Sequence, residues 1–189
     1  MPATAYDLAA AFSLIMLYFS WITIIKYLLQ LIRSRFFAGA GSFLLADLTI
    51  SVDTPMYSTW LLGLAMFLAA YLVAMPYTLF QALRNEKERL HWQSIKNRLG
   101  FLFQGLQPEY YWWEFVVMAR KLGLVVVATM LPDAPLMAAY VSLFIIQAAI
   151  AAHLMCDPFY SGRQQSLEML SLTVTLVAGA YTRSHFRLT

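Results

Sequence analysis

Four stretches of the chain, residues 8–32, 56–83, 112–131 and 135–155, run for about 20 residues or more with only an occasional charge or hydroxyl. A helix needs about that length to cross the hydrocarbon core of a bilayer. A fifth stretch, 167–182, is shorter and carries Glu168 near its start, and it is read as a further span. The composition agrees, with 61% hydrophobic and 12% charged residues, about half the charged share of a soluble domain. Thirteen basic and ten acidic side chains, clustered between the apolar runs, could not cover the surface of a water-soluble fold. The expected architecture is therefore an all-α, polytopic transmembrane helix bundle with about five spans, forming one membrane domain over residues 1–189. The bilayer itself is the first expected partner.

Residues 8–32 are too long, and too poor in leading basic residues, for a cleaved signal peptide, so they read as a spanning helix. Residues 36–50 are apolar but only about fifteen long, contain Gly39 and Gly41 and are broken by Asp47. That profile suits a re-entrant or interfacial piece rather than a span. Pro76 lies within the second run and removes one backbone hydrogen bond, which predicts a kink.

Between the second and third runs, Arg84, Lys87, Arg89, Lys96 and Arg98 form the densest basic cluster. The positive-inside rule puts this loop, residues 84–111, in the cytoplasm. Within it Ile95, Leu99, Leu102 and Phe103 recur at helical spacing beside basic residues. They predict an amphipathic helix lying in the headgroup region, anchored by Trp92. The turn Pro132-Asp133-Ala134-Pro135 then makes a helical hairpin on the far side. The first span resists assignment, because Lys26, Arg33 and Arg35 favour a cytoplasmic end where simple alternation puts that end outside.

The +3 formal charge sits at the ends of apolar segments, where orientation signals belong, so nucleic acid is not an expected partner. Cys156 is the only cysteine, which excludes an internal disulfide and a cysteine-built metal centre. His153 and Cys156, three apart on a helix end beside Asp157, have no second pair to complete a tetrahedral site, so no metal or cofactor is expected. Neither a catalytic triad nor a paired-carboxylate, phosphate-loop or dinucleotide signature stands in a suitable context, and no enzymatic role is expected.

Tyr110, Tyr111, Trp112 and Trp113 read as an aromatic belt at the membrane surface. Glu114, Arg120 and Lys121 are different, because ionised groups within a span cost several kcal/mol unless paired or hydrated. Glu114 and Lys121 share a helical face two turns apart, about 10 Å along the axis. Water or a third group such as Gln147 is needed to join them, while Arg120, about 100° away, would reach another helix or lipid headgroups. These four residues form the candidate polar network. Structural locking, snorkelling to headgroups and an ion or proton pathway all remain open roles for it. Small residues, Gly63, Ala70 and Ala74 in the second run and Ala138, Ala148, Ala149, Ala151 and Ala152 in the fourth, would let helices approach closely. Their partners could lie in this chain, in a homo-oligomer or in a heteromeric complex.

The order Leu99-Gly100-Phe101-Leu102-Phe103-Gln104-Gly105, then Pro108-Glu109-Tyr110-Tyr111-Trp112-Trp113-Glu114, then Arg120-Lys121-Leu122 resembles the C-terminal membrane region of large protist surface proteins. That region is itself similar to the membrane domain of the fungal transient-receptor-potential-like (TRP-like) proteins. The likeness continues through Gln147, Asp157-Pro158-Phe159-Tyr160 and Leu167-Glu168-Met169-Leu170, and a weaker echo stands at Lys26-Tyr27-Leu28-Leu29-Gln30. The resemblance implies a channel-like or carrier-like membrane domain and names no substrate. The alternative is a small accessory transmembrane subunit of a larger complex, of the respiratory or photosynthetic type, whose helices only pack.

Overall fold

A computed structural model describes residues 5–39, 41–87 and 92–186. Arg89 of the basic cluster lies outside the described residues. Helix α1 (Ala5–Gln30) leads into three short strands, β1 (Ser34–Phe37), β2 (Gly41–Leu44) and β3 (Asp47–Ser51), followed by α2 (Pro55–Asn85). Then come α3 (Gln93–Phe103), a 3-10 turn at Pro108–Tyr110, α4 (Trp113–Met130), α5 (Pro135–Cys156) and α6 (Gly162–Phe186).

Hydrophobic residues on every side mark a helix that has no water-facing surface. In α1, Tyr18, Trp21, Ile25 and Leu29 form a buried stripe, yet Phe12, Met16 and Phe19 on the other faces are exposed and equally apolar. Among the described residues, three helices are long and apolar enough to cross a membrane: Ala11–Gln30 within α1, all of α2, and α5. This is fewer than the five anticipated. Helix α4 carries Glu114, Arg120 and Lys121 within 18 residues, and the start of α6 carries Arg163 and Glu168. Three charges take α4 out of that set, and α6 is too polar along its length to enter it. A membrane location fits the three apolar helices.

The strands correct the all-α expectation. The segment read as a re-entrant or interfacial piece holds an antiparallel sheet in the order β1-β2-β3, pairing Phe36 with Ser42 and Phe43 with Ser51. Phe36, Phe37, Phe43, Thr49 and Ile50 are residue types that favour a pleated surface. Gly39 (φ +85°) and Gly41 (φ +97°) supply the left-handed backbone that the first turn requires. Thr54 then caps α2, its hydroxyl accepting from the Tyr57 N–H at 3.4 Å, with Pro55 in the first turn, where no intrahelical N–H is needed. Helix α2 continues through Pro76.

The core is asymmetric. Tyr18, Trp21, Ile25 and Leu29 of α1 meet Leu68, Met75, Leu79 and Leu83 of α2, Met118 of α4, and Ile95, Leu99 and Leu102 of α3. The apolar stripe of α3 therefore packs on protein, because α1 offers a matching apolar face. Buried residues of α2 lie only beyond its first dozen positions. Its N-terminal part leaves an apolar recess of about 720 Å³, lined by Leu44 and Ile50 of the sheet and by Met56, Trp60 and Phe67.

Helices α4 and α5 form the expected hairpin across residues 131–134, and α6 packs back on α5. Close approach relies on Gly123, where an added Cβ would stand 3.2 Å from Ile145, and on Gly179, where it would stand 3.2 Å from Leu143. Gly63, anticipated for this role, faces open space. At the other end of the hairpin helices, Gln107 N–H donates to the Pro158 carbonyl (2.8 Å) and Tyr160 N–H to the Gly105 carbonyl (3.0 Å). The loop before α4 is thereby pinned to the loop before α6. Arg33, just after α1, contacts Asp133 of the hairpin at 3.5 Å. The sheet end of α1 thus lies at the same end of the bundle as the α4–α5 turn.

Candidate functional site

Helix α4 carries two ionic centres on two of its faces. Glu114 stands in its first turn, where the exposed backbone N–H groups favour a carboxylate. From α1, the Tyr18 hydroxyl donates to Glu114 Oε1. Lys121 Nζ, two turns further along α4, donates to the same hydroxyl at 3.1 Å and lies 5.4 Å from the Tyr18 ring centroid. The gap between Glu114 and Lys121 is therefore closed by a phenol from another helix. Gln147, anticipated as the joining group, is exposed on α5 and is not that bridge. Because the hydroxyl accepts from an ammonium and donates to a carboxylate, the three groups form one continuous hydrogen-bonded chain between α1 and α4. Such a chain holds the helices in register and can also carry a proton along its length.

On the second face, Arg120 pairs with Glu168 of α6, Nη1 to Oε1 at 2.8 Å, with side chains 15% and 25% exposed. Trp113, Val116, Val117 and Arg120 share this face at helical spacing and line a small cavity with Ala149 and His153 of α5 and Glu168 and Leu172 of α6. His153 is 1% exposed and Trp113 3%. Their rings lie 5.8 Å apart, and His153 lies 5.7 Å from Phe159.

The anticipated aromatic belt is thus divided. Trp112 and Trp92 are exposed, Tyr110 and Tyr111 are half-buried, and Lys87 lies over the Tyr111 ring at 5.3 Å. Trp113 points inward and belongs to the α4/α5/α6 junction, which corrects its reading as a surface anchor. A residue one step along a helix points about 100° away, and here that direction is the buried one, leaving Trp113 3% and Trp112 36% exposed.

At the end of α5, Asp157 adopts the left-handed conformation (φ 43°) and its N–H donates to the His153 carbonyl at 3.1 Å. An aspartate tolerates that conformation better than most residues. Among the described residues, no cluster of three His, Cys, Asp or Glu side chains could hold a metal ion.

The sequence pointed to Glu114, Arg120 and Lys121 but missed Tyr18, Glu168 and His153 as their surroundings. A phenol within an apolar span, and a carboxylate at the start of a span, were the available signals. Matching them to α4 requires knowing which helices touch.

The chain is 25% identical over 155 residues to Cysteine repeat modular protein A of Toxoplasma gondii, covering 77% of this chain and 5% of that protein. No protein-family model matches the chain. No solved structure matches it.

Proposed function

We propose that this chain is the helical membrane portion of a larger membrane protein and contributes to a TRP-like channel or carrier. In this reading all five long helices cross the bilayer, with α4 and α6 bringing their charges as internal pairs. The observation that carries it is the double satisfaction of α4: Glu114 and Lys121 through Tyr18, and Arg120 through Glu168. Charged groups that would bar a lone helix from lipid become affordable when they face helices that answer them. The basic loop 84–111 then faces the cytoplasm, and the sheet and the α4–α5 turn face the opposite side. At that opposite end Arg33 pairs with the exposed Asp133 carboxylate at 3.5 Å. The chain carries no chemistry of its own in this reading, and the polar network serves conduction or its gating.

The test is flux in liposomes. Glu114→Gln combined with Lys121→Met should reduce ion flux at least tenfold while helicity is retained. Unchanged flux with unchanged folding defeats the reading. A second reading, an accessory subunit that only packs on other helices, is favoured by the apolar outer faces, where Met155 is 84%, Phe144 71% and Trp60 70% exposed. Mass measurement after gentle detergent extraction separates the two, because a homo-oligomer supports the channel and a fixed heteromeric mass supports the accessory role.

A further inference from the structure

The junction of α4, α5 and α6 contains three polar atoms that are buried and make no hydrogen bond: Trp113 Nε1, His153 Nε2 and Glu168 Oε1. The third lies 2.8 Å from the Arg120 guanidinium but out of line with its N–H bonds, so the ion pair leaves it able to accept. All three side chains line one cavity of about 10 Å³. A water needs on the order of that much space, together with two to four polar partners. A buried polar group left without a partner is costly, and the cost grows in a low-dielectric setting.

We infer that this cavity is a binding site for a single internal water, held by Trp113, His153 and Glu168. The donor and acceptor inventory matches one molecule. The indole N–H can only donate, so it donates to the water oxygen; the water then donates one proton to Glu168 Oε1 and the other to His153 Nε2. That assignment fixes His153 as the tautomer with its proton on Nδ1. It also makes His153 a positioning residue, which steadies the Arg120–Glu168 pair through the water and does not touch Arg120 directly. A larger solute does not fit the space, and a bare cation is disfavoured by the adjacent guanidinium and by the indole donor.

Trp21 provides the internal control. It is 1% exposed and its Nε1 is likewise without a partner, but it sits in the apolar cluster of Tyr18, Ile25, Leu79 and Leu83. Radiolytic labelling of the full chain in lipid nanodiscs with ¹⁸O water reports buried waters beside aromatic rings and does not depend on any transport activity. The result can therefore fail while the proposed function stands, and the reverse.

Trp113 should incorporate label at least fivefold faster than Trp21. His153→Phe should reduce Trp113 to the level of Trp21, whereas His153→Gln, which keeps an acceptor, should retain most of the label. Equal labelling of Trp113 and Trp21 in the unmodified protein overturns the inference without need of any variant. Strong labelling of Trp113 that persists in folded His153→Phe also overturns it, since the water would then have other ligands. As a second readout, ¹⁵N resonances of His153 should report an unprotonated Nε2 and a protonated Nδ1, and the opposite tautomer contradicts the arrangement.

Discussion

The two faces of α4 solve one problem by different means. Toward α1, the charges of Glu114 and Lys121 are two turns apart and a neutral phenol joins them; toward α6, Arg120 meets Glu168 directly. The first arrangement leaves Lys121 an exposed residue whose ammonium turns back to the Tyr18 hydroxyl of α1. The second buries most of both partners, in a junction that also encloses His153 and Trp113. The contrast shows that charges in an apolar bundle are tolerated by two routes, one resting on a hydroxyl relay at the periphery and the other on a direct pair inside.

The largest expected effect comes from breaking the direct pair. Glu168→Leu strands Arg120 among apolar groups and should cost about 3 kcal/mol, by the scale for an arginine at mid-span. Adding Arg120→Leu should recover most of that loss, because removing both partners of a buried pair is often near neutral. Unfolding measured in lipid nanodiscs checks both, and a double variant no better than the single one would show that the pair is not the unit.

Next comes the relay. Tyr18→Phe leaves the half-buried Glu114 carboxylate without its donor and should cost about 1–3 kcal/mol in the same assay. Lys121→Met should cost less, under about 1 kcal/mol, since Lys121 is an exposed residue that loses one hydrogen bond to a neutral phenol. Should Lys121→Met prove more damaging than Glu168→Leu, the distinction between the two faces is reversed.

The smallest effect lies away from both faces, in the sheet, where charge meets water. The Thr49 hydroxyl (2.7 Å) and backbone N–H (3.0 Å) both donate to Asp47 Oδ1, and they hold that carboxyl below its ordinary range. A depressed value in the folded state means the contribution to stability is present above the ordinary carboxylate pKa. It is lost as pH falls through the depressed one. Thr49→Val should raise the Asp47 titration seen by NMR toward the ordinary range, with little change elsewhere in the bundle.

Much of the helical framework was legible because apolar length is written directly in the chain: the runs at 56–83 and 135–155 correspond to α2 and α5 within two residues at each end. The Pro132–Pro135 turn was equally plain, since two prolines cannot continue a helix. The sheet was not legible. A run of about fifteen apolar residues suits several structures, and the strand pairing of Phe36 with Ser42 depends on a turn with two left-handed glycines. The face of α3 was visible as a stripe, but a stripe does not say whether lipid or protein covers it.

The sequence by itself determined that this chain has long helices without a water-facing side and that three ionised residues sit close together on one of them. Both follow from local order, from hydropathy summed along a run and from spacing around a turn. Only the tertiary structure decided which groups answer those charges. Tyr18 lies 96 residues before Glu114 and Glu168 lies 48 after Arg120. Contacts at such separations are fixed by how helices stack, through close approaches such as Gly123 on Ile145, and not by anything a single helix encodes.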